Sequence, residues 1–194
     1  MAGDPRPPQE ILEFWFSDQA RSLWFERNAD FDALIRSRFE ATHQAALAGR
    51  LDAWEDAAES CLALVVLLDQ FPRNMYRGSA RAYAADARAH AVAERAIARG
   101  HDRRFAVDRR HFFYLPFEHS ENLAGQRRAV ALFRAHAEAA AGTDRERALE
   151  RLDYAERHLA AIERFGRFPH RNELLGRETT EDEAAYLRDP RSWF

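Results

Sequence analysis

Asp69-Gln70-Phe71-Pro72-Arg73-Asn74, with Arg77 just beyond, gathers a carboxylate, two amides and two guanidinium groups at the end of the most apolar run in the chain. Two later stretches are as dense. Glu118-His119-Ser120-Glu121 follows the aromatic run Phe112-Phe113-Tyr114-Leu115-Pro116-Phe117, and Arg167, His170, Arg171, Asn172 and Arg177 surround a second Phe-Pro pair, Phe168-Pro169. Guanidinium forks hold carboxylates and phosphates, and an imidazole oriented by a carboxylate moves a proton near neutral pH. These residue types point to acid-base chemistry on a small anionic molecule. The expected catalytic group is His158 or His119, oriented by Asp69 or Glu118. Arg73 and Arg171 would grip the anion, with Asn74, Arg77, Gln126, Arg167, His170 and Asn172 completing the wall of a site between the two Phe-Pro turns and the Glu118-His119 segment.

The same residues test other chemistries. Glu118, His119, Glu121, His158 and His170 are acceptable metal ligands, but Glu-His-Ser-Glu is not the Glu-x-x-His pattern of di-iron bundles, so no metal and no cofactor is expected. No Lys occurs in the chain, which removes lysine Schiff-base chemistry and the P-loop lysine. Gly-x-Ser-x-Gly and Gly-rich nucleotide loops are absent. The single cysteine, Cys61, adjoins the apolar run and reads as a buried structural thiol, with no intramolecular disulfide available to it. A net charge of -3 gives no global attraction to nucleic acid or to an anionic membrane. Met1 to Pro8 carries no signal-peptide apolar core and no stretch reaches the length of a membrane span, so a cytoplasmic protein is expected.

Positioning these groups falls to helices. At 194 residues and 46% hydrophobic content the chain can bury one good core, and a single helical domain over 1–194 is expected. Leu62 to Leu68 is apolar on every side, the mark of a buried central helix, with Asp69 facing inward at its end and Phe71-Pro72 stopping it. Ile11, Phe14 and Trp15 form a short helical stripe. Trp24, Phe25, Phe31, Leu34, Ile35 and Phe39 continue helical spacing, with Asp30 as N-cap and Gly49 as stop, and Asp86 caps a helix that Gly100 ends. Ser120 caps the stripe Leu123, Val130, Phe133 and Ala137, with Gln126 in its middle. Asp144 to Phe165 is the clearest amphipathic helix, its inward arc containing His158, and Gly166 ends it. Thr180-Glu181-Asp182-Glu183 is a capping box. With no strand alternation, the class is all-α. Asp69, Gln126 and His158 each interrupt an apolar stripe on a different helix, and buried polar groups need partners, so a shared interior network is expected. The repetition of Phe-Pro, Arg-Asn and Gly in the two turns predicts stacked antiparallel helix pairs of the tetratricopeptide kind with equivalent turns.

Three strings carry a family likeness: Leu-Leu-Asp-Gln-Phe-Pro-Arg-Asn-Met-Tyr-Arg-Gly from Leu67, Tyr-Leu-Pro-Phe-Glu-His-Ser-Glu from Tyr114, and Arg-Phe-Gly-Arg-Phe-Pro-His-Arg-Asn-Glu-Leu-Leu-Gly-Arg from Arg164. Together they resemble the signatures of an uncharacterised bacterial family catalogued as domain of unknown function 924, from Ile11-Leu12-Glu13-Phe14-Trp15 to the terminal helix. The resemblance implies a tetratricopeptide-like all-helical fold in one cytoplasmic domain and brings no reaction with it. Its motifs fall on Asp69, Gln70, Arg73, Asn74, Glu118, His119, Glu121, His158, Arg167, His170, Arg171 and Asn172. A second function class stays open beside the small-molecule site: an adaptor that grips a peptide or protein partner, its polar motifs serving as structural turns.

Overall fold

Helical spacing without strand alternation leaves one fold class, and among the described residues every regular element is helical, so the protein is all-α. The structure is a computed structural model that describes residues 4–192; the first three residues of the N-terminal stretch read above lie outside it. No helix among these residues is long and apolar enough to cross a membrane. The chain forms two compact units, one up to Arg104 and one from Phe105 onward.

The first unit comprises α1 (Pro8–Trp15), α2 (Asp18–Arg21), α3 (Ala29–Leu47), α4 (Ala58–Met75) and α5 (Asp86–Ala98). Helix α4 packs against α1, α3 and α5, and Leu62 to Leu68 are at most 1% exposed, as an all-apolar helix requires. Its N-terminus has no side-chain cap and its interior contains Pro72, so burial rather than local propensity holds it helical. Pro72 does not end the helix, which runs on to Met75. Proline lacks the N–H that the Leu68 carbonyl would receive, and the neighbouring carbonyls take side-chain donors: His43 Nδ1–H to Leu67 O at 2.9 Å and Arg73 Nη1 to Asp69 O at 2.7 Å. Phe71 is pinned in helical conformation by aromatic neighbours, its ring 5.0 Å from Phe39, 5.5 Å from Trp15 and 6.2 Å from Phe14. Tertiary packing overrides the bias that proline imposes on the residue before it. The caps also differ from expectation. Asn28 caps α3, leaving Asp30 in the first turn, and Asp86 is the first residue of α5 rather than its cap.

The second unit comprises α6 (Val107–Arg110), α7 (Leu115–Glu118), α8 (Leu123–Ala139), α9 (Gly142–Phe165) and α10 (Glu181–Tyr186). The short link from α8 to α9 makes an antiparallel pair, and α7 packs on both. Asn122, not Ser120, caps α8, its Oδ1 accepting from Gly125 N at 3.1 Å. Helix α9 starts two residues ahead of Asp144 and ends at Gly166 with φ 69, a left-handed cap that glycine adopts without steric cost. The Thr180–Glu183 capping box is present in both directions.

The two Phe-Pro strings adopt different backbones. Phe168 is extended and Pro169 opens a single 3-10 turn, whereas Phe71-Pro72 lies inside α4. What they share comes afterwards: Asn74 and Asn172 each donate to a carboxylate distant in sequence, and Gly78 and Gly176 both take positive φ, 74 and 65.

Candidate functional site

In the first unit the charged groups at the end of α4 are answered by carboxylates of neighbouring helices. Asp69 is fully buried, and its Oδ2 accepts from Gln70 Nε2 at 2.6 Å. Arg73 donates through Nη1 and Nη2 to Asp86 at 3.0 and 3.3 Å, and lies 3.7 Å from Asp69 Oδ1. Burial alone would lower the pKa of Arg73; the charges of Asp69 and Asp86 outweigh it and hold the guanidinium charged. Arg77 forks onto Asp32 at 2.6 and 3.0 Å, and Asn74 Nδ2 reaches the same carboxylate at 2.7 Å. These cations also meet the negative end of the α4 dipole. Arg73, Asn74 and Arg77, expected as a grip for an anion, thus fasten α4 to α3 and α5.

In the second unit a similar fastening takes up the outer residues of the Phe168 turn. Arg167 forks onto Glu183 at 2.6 and 2.9 Å, and Asn172 Nδ2 reaches Glu183 Oε2 at 3.2 Å. Arg177 forks onto Glu121 at 2.7 and 2.9 Å, while Glu121 Oε1 also accepts from Phe168 N at 2.7 Å. Arg167 and Asn172 therefore hold α10 against the turn. Asp32, Asp86 and Glu183, which complete these pairs, carry no local signal of that role, because each partner is far along the chain or, for Glu183, disguised as a capping-box residue.

What this frame leaves inward is a cluster around the ring of Phe168. His158 stands at 5.4 Å and His170 at 5.6 Å between ring centroids, and the Arg171 guanidinium lies 4.6 Å above the ring. His119 is 6.3 Å from His158, ring to ring. Glu118 is buried, with Oε1 3.8 Å from His158 Nδ1. The hydrogen bond from Nδ1 goes instead to Tyr154 O, at 2.8 Å. A carbonyl only accepts, so the proton sits on Nδ1 and the lone pair on Nε2. The orienting group for His158 is this carbonyl rather than Glu118. Burial drives the pKa of His158 well below its ordinary value, partly offset by the Tyr154 bond, and His119, Arg171 and His170 push it further down. His158 is a neutral imidazole at physiological pH, suited to accepting a proton or hydrogen bond rather than to donating as an acid.

Two further side chains shape the segment that brings His119 in. Arg171 Nη2 donates to His119 O at 3.1 Å, and Gln126 Nε2 donates to the carbonyls of Glu118 and Ser120, both at 2.6 Å. Gln126, expected as a wall of the site, thereby holds the α7–α8 connection in place; its Oε1 is buried and accepts no hydrogen bond from any described residue. Among the described residues no three His, Cys, Asp or Glu side chains stand close enough together to hold a metal ion. Cys61 is buried, and desolvation raises its thiol to about 12, which keeps it unreactive.

The family model described as bacterial protein of unknown function, DUF924, matches residues 11–191. The chain belongs to this family. The solved structure of the protein of unknown function ATU0120 from Agrobacterium tumefaciens is similar to this chain at 46% identity and a TM-score of 0.84, over 93% of this chain and 96% of that one. No curated protein matches this DUF924 chain. The motifs through which the chain resembles DUF924 divide into two kinds: the arginine and asparagine forks on Asp32, Glu121 and Glu183, and the imidazoles, Glu118 and Arg171 around Phe168.

Proposed function

We propose that this cytoplasmic DUF924 protein binds a small anionic molecule at the Phe168 cluster and acts on it by proton transfer. The observation that carries the reading is the convergence of His158, His170 and Arg171 about the Phe168 ring with His119 beside His158, the proton on His158 being assigned to Nδ1 by Tyr154 O. Arg171 supplies the fixed positive charge, and its second task, holding His119 O, keeps the imidazole in register. His158 serves as proton acceptor through Nε2, with the buried Glu118 carboxyl 3.8 Å from its other ring nitrogen.

A thermal-shift screen of acidic metabolites and nucleotides tests the proposal, repeated with His158→Ala and Arg171→Gln. The readout is the ligand-induced rise, not the variant's own Tm. A true ligand at a hundred times its Kd should raise the wild-type Tm by roughly 5–10 °C. Both variants should lose most of that rise. No hit for the wild type, or hits that both variants retain, would contradict it.

A second reading, a tetratricopeptide-like adaptor for a peptide or protein, draws on the first unit. There a cavity of about 320 Å³ is lined by Glu13, Phe14, Phe31, Leu34 and Arg38, and Phe25 is 72% exposed. A stoichiometric partner lost on Leu34→Asp and indifferent to His158→Ala would favour it.

A further inference from the structure

His136 and Arg151 form a second basic centre in the unit from Phe105 onward, built from residues that the Phe168 cluster does not use. His136 lies in the last turn of α8, 3% exposed, with its ring 5.7 Å from that of Tyr114 in T-shaped contact. Neither ring nitrogen makes a well-formed hydrogen bond among the described residues, the Val107 backbone accepting only a marginal one. Arg151 stands on α9, the helix that α8 packs against, and its Nη1 is shielded from solvent with no hydrogen-bond partner among the described residues. Its positive charge is the strongest charge acting on His136, followed by that of Arg110. Arg147 stands one turn earlier on α9, so the two guanidinium groups share a helix face and repel. Arg110 is steadied from α6 by donating Nε and Nη2 to Phe105 O.

Such an arrangement is costly as it stands. A guanidinium is normally answered by a carboxylate fork when it leaves water. Asp108, Asp144 and Glu150 are the carboxylates whose charge reaches Arg151, but none ion-pairs with it among the described residues. Burial and Arg147 together lower the pKa of Arg151, the sign of a desolvated cation short of negative charge. Arginine, a neighbouring arginine and a buried imidazole with donor capacity together match the acceptor oxygens and double negative charge of a phosphate group.

We propose that Arg151, Arg147 and His136, with Arg110 behind them, form a phosphate-binding site distinct from the Phe168 cluster. The occupant is a phosphate group, free or carried by a small metabolite.

The test uses the full chain and inorganic phosphate at low millimolar concentration, with chloride at matched ionic strength as the reference. The site predicts that phosphate raises the wild-type Tm and moves the imidazole nitrogen signals of His136 but not those of His158. Arg151→Met should lose both responses. In phosphate-free buffer it should melt no lower than the wild type, because it removes an unanswered cation that makes no hydrogen bond or ion pair among the described residues. A wild type whose Tm and His136 signals ignore phosphate overturns the proposal, as does movement confined to His158 or an Arg151→Met protein that keeps the response. The wild-type His136 signals decide the matter even if the variant does not fold. Replacing phosphate by a phosphorylated sugar separates a metabolite site from one for the free ion.

Discussion

Lowering the pH from 7 to 5 should destabilise the fold by several kcal/mol. His43, His136 and His158 are 1%, 3% and 4% exposed, and burial is the first cause that lowers each pKa, that of His136 to about 4. Charges add to it: Arg81 at His43, partly offset by Glu40, then Arg151 and Arg110 at His136, and His119, Arg171 and His170 at His158. The folded pKa lies below the unfolded one, so the unfolded chain binds more protons once the pH falls under the ordinary histidine value. Stability is complete above about 6.5 and is lost from there downward, at roughly 1.4 kcal/mol per pH unit for each histidine kept neutral. Urea unfolding at closely spaced pH values reads the slope directly, and His136→Gln should reduce it by about one proton. A stability that is flat from pH 7 to 5 would show that these histidines are not held neutral.

Glu183→Ala should cost about 3 kcal/mol, because breaking a buried ion pair leaves its partners without a counter-charge, and Arg167 is exposed enough to recover part of the loss in water. Four groups depend on this carboxylate: the Arg167 Nε and Nη2 donors, Asn172 Nδ2 and the Thr180 backbone N–H. The Arg167 hydrogen bonds, with smaller help from Thr180 and Asn172, hold Glu183 at a pKa of about 2. A depressed carboxylate contributes stability above its ordinary value near 4.5, lost as the pH falls from there toward 2, a window lower than that of the histidines. The urea midpoint should fall without a change in slope, while Glu181→Ala on the exposed side of α10 leaves it in place. A loss under about 1 kcal/mol would mean that the Phe168 turn is held by other contacts.

Local signals in this chain were legible and distant ones were not. Gly166, the Thr180 capping box and the apolar run from Leu62 each act over a few residues, and all three stand as expected. Pro72 is the counter-example, because its local preference for breaking α4 loses to the aromatic packing of Phe71 against Trp15 and Phe39. Asp69, Gln126 and His158 are buried as their helical positions imply, since each sits on an apolar stripe. The partners of Arg77, Arg167 and Arg177 could not be read in advance. Asp32, Glu183 and Glu121 lie 45, 16 and 56 residues away from them, and an exposed-looking carboxylate carries no mark of the arginine that folding will bring to it. For the same reason nothing in the sequence marks Arg151 and His136: a residue's want of a partner exists only in the folded chain.

The imidazole nitrogen spectrum of the uniformly labelled protein at pH 6.5, with and without a panel of small carboxylates and phosphates, tests the proposed site most directly. A neutral His158 protonated on Nδ1 is expected, and joint movement of the His158, His119 and His170 signals with that of the Arg171 guanidinium on addition of the right anion, while His101 of the other unit stays fixed. A charged His158, or four residues that no anion in the panel disturbs at millimolar concentration, would contradict it.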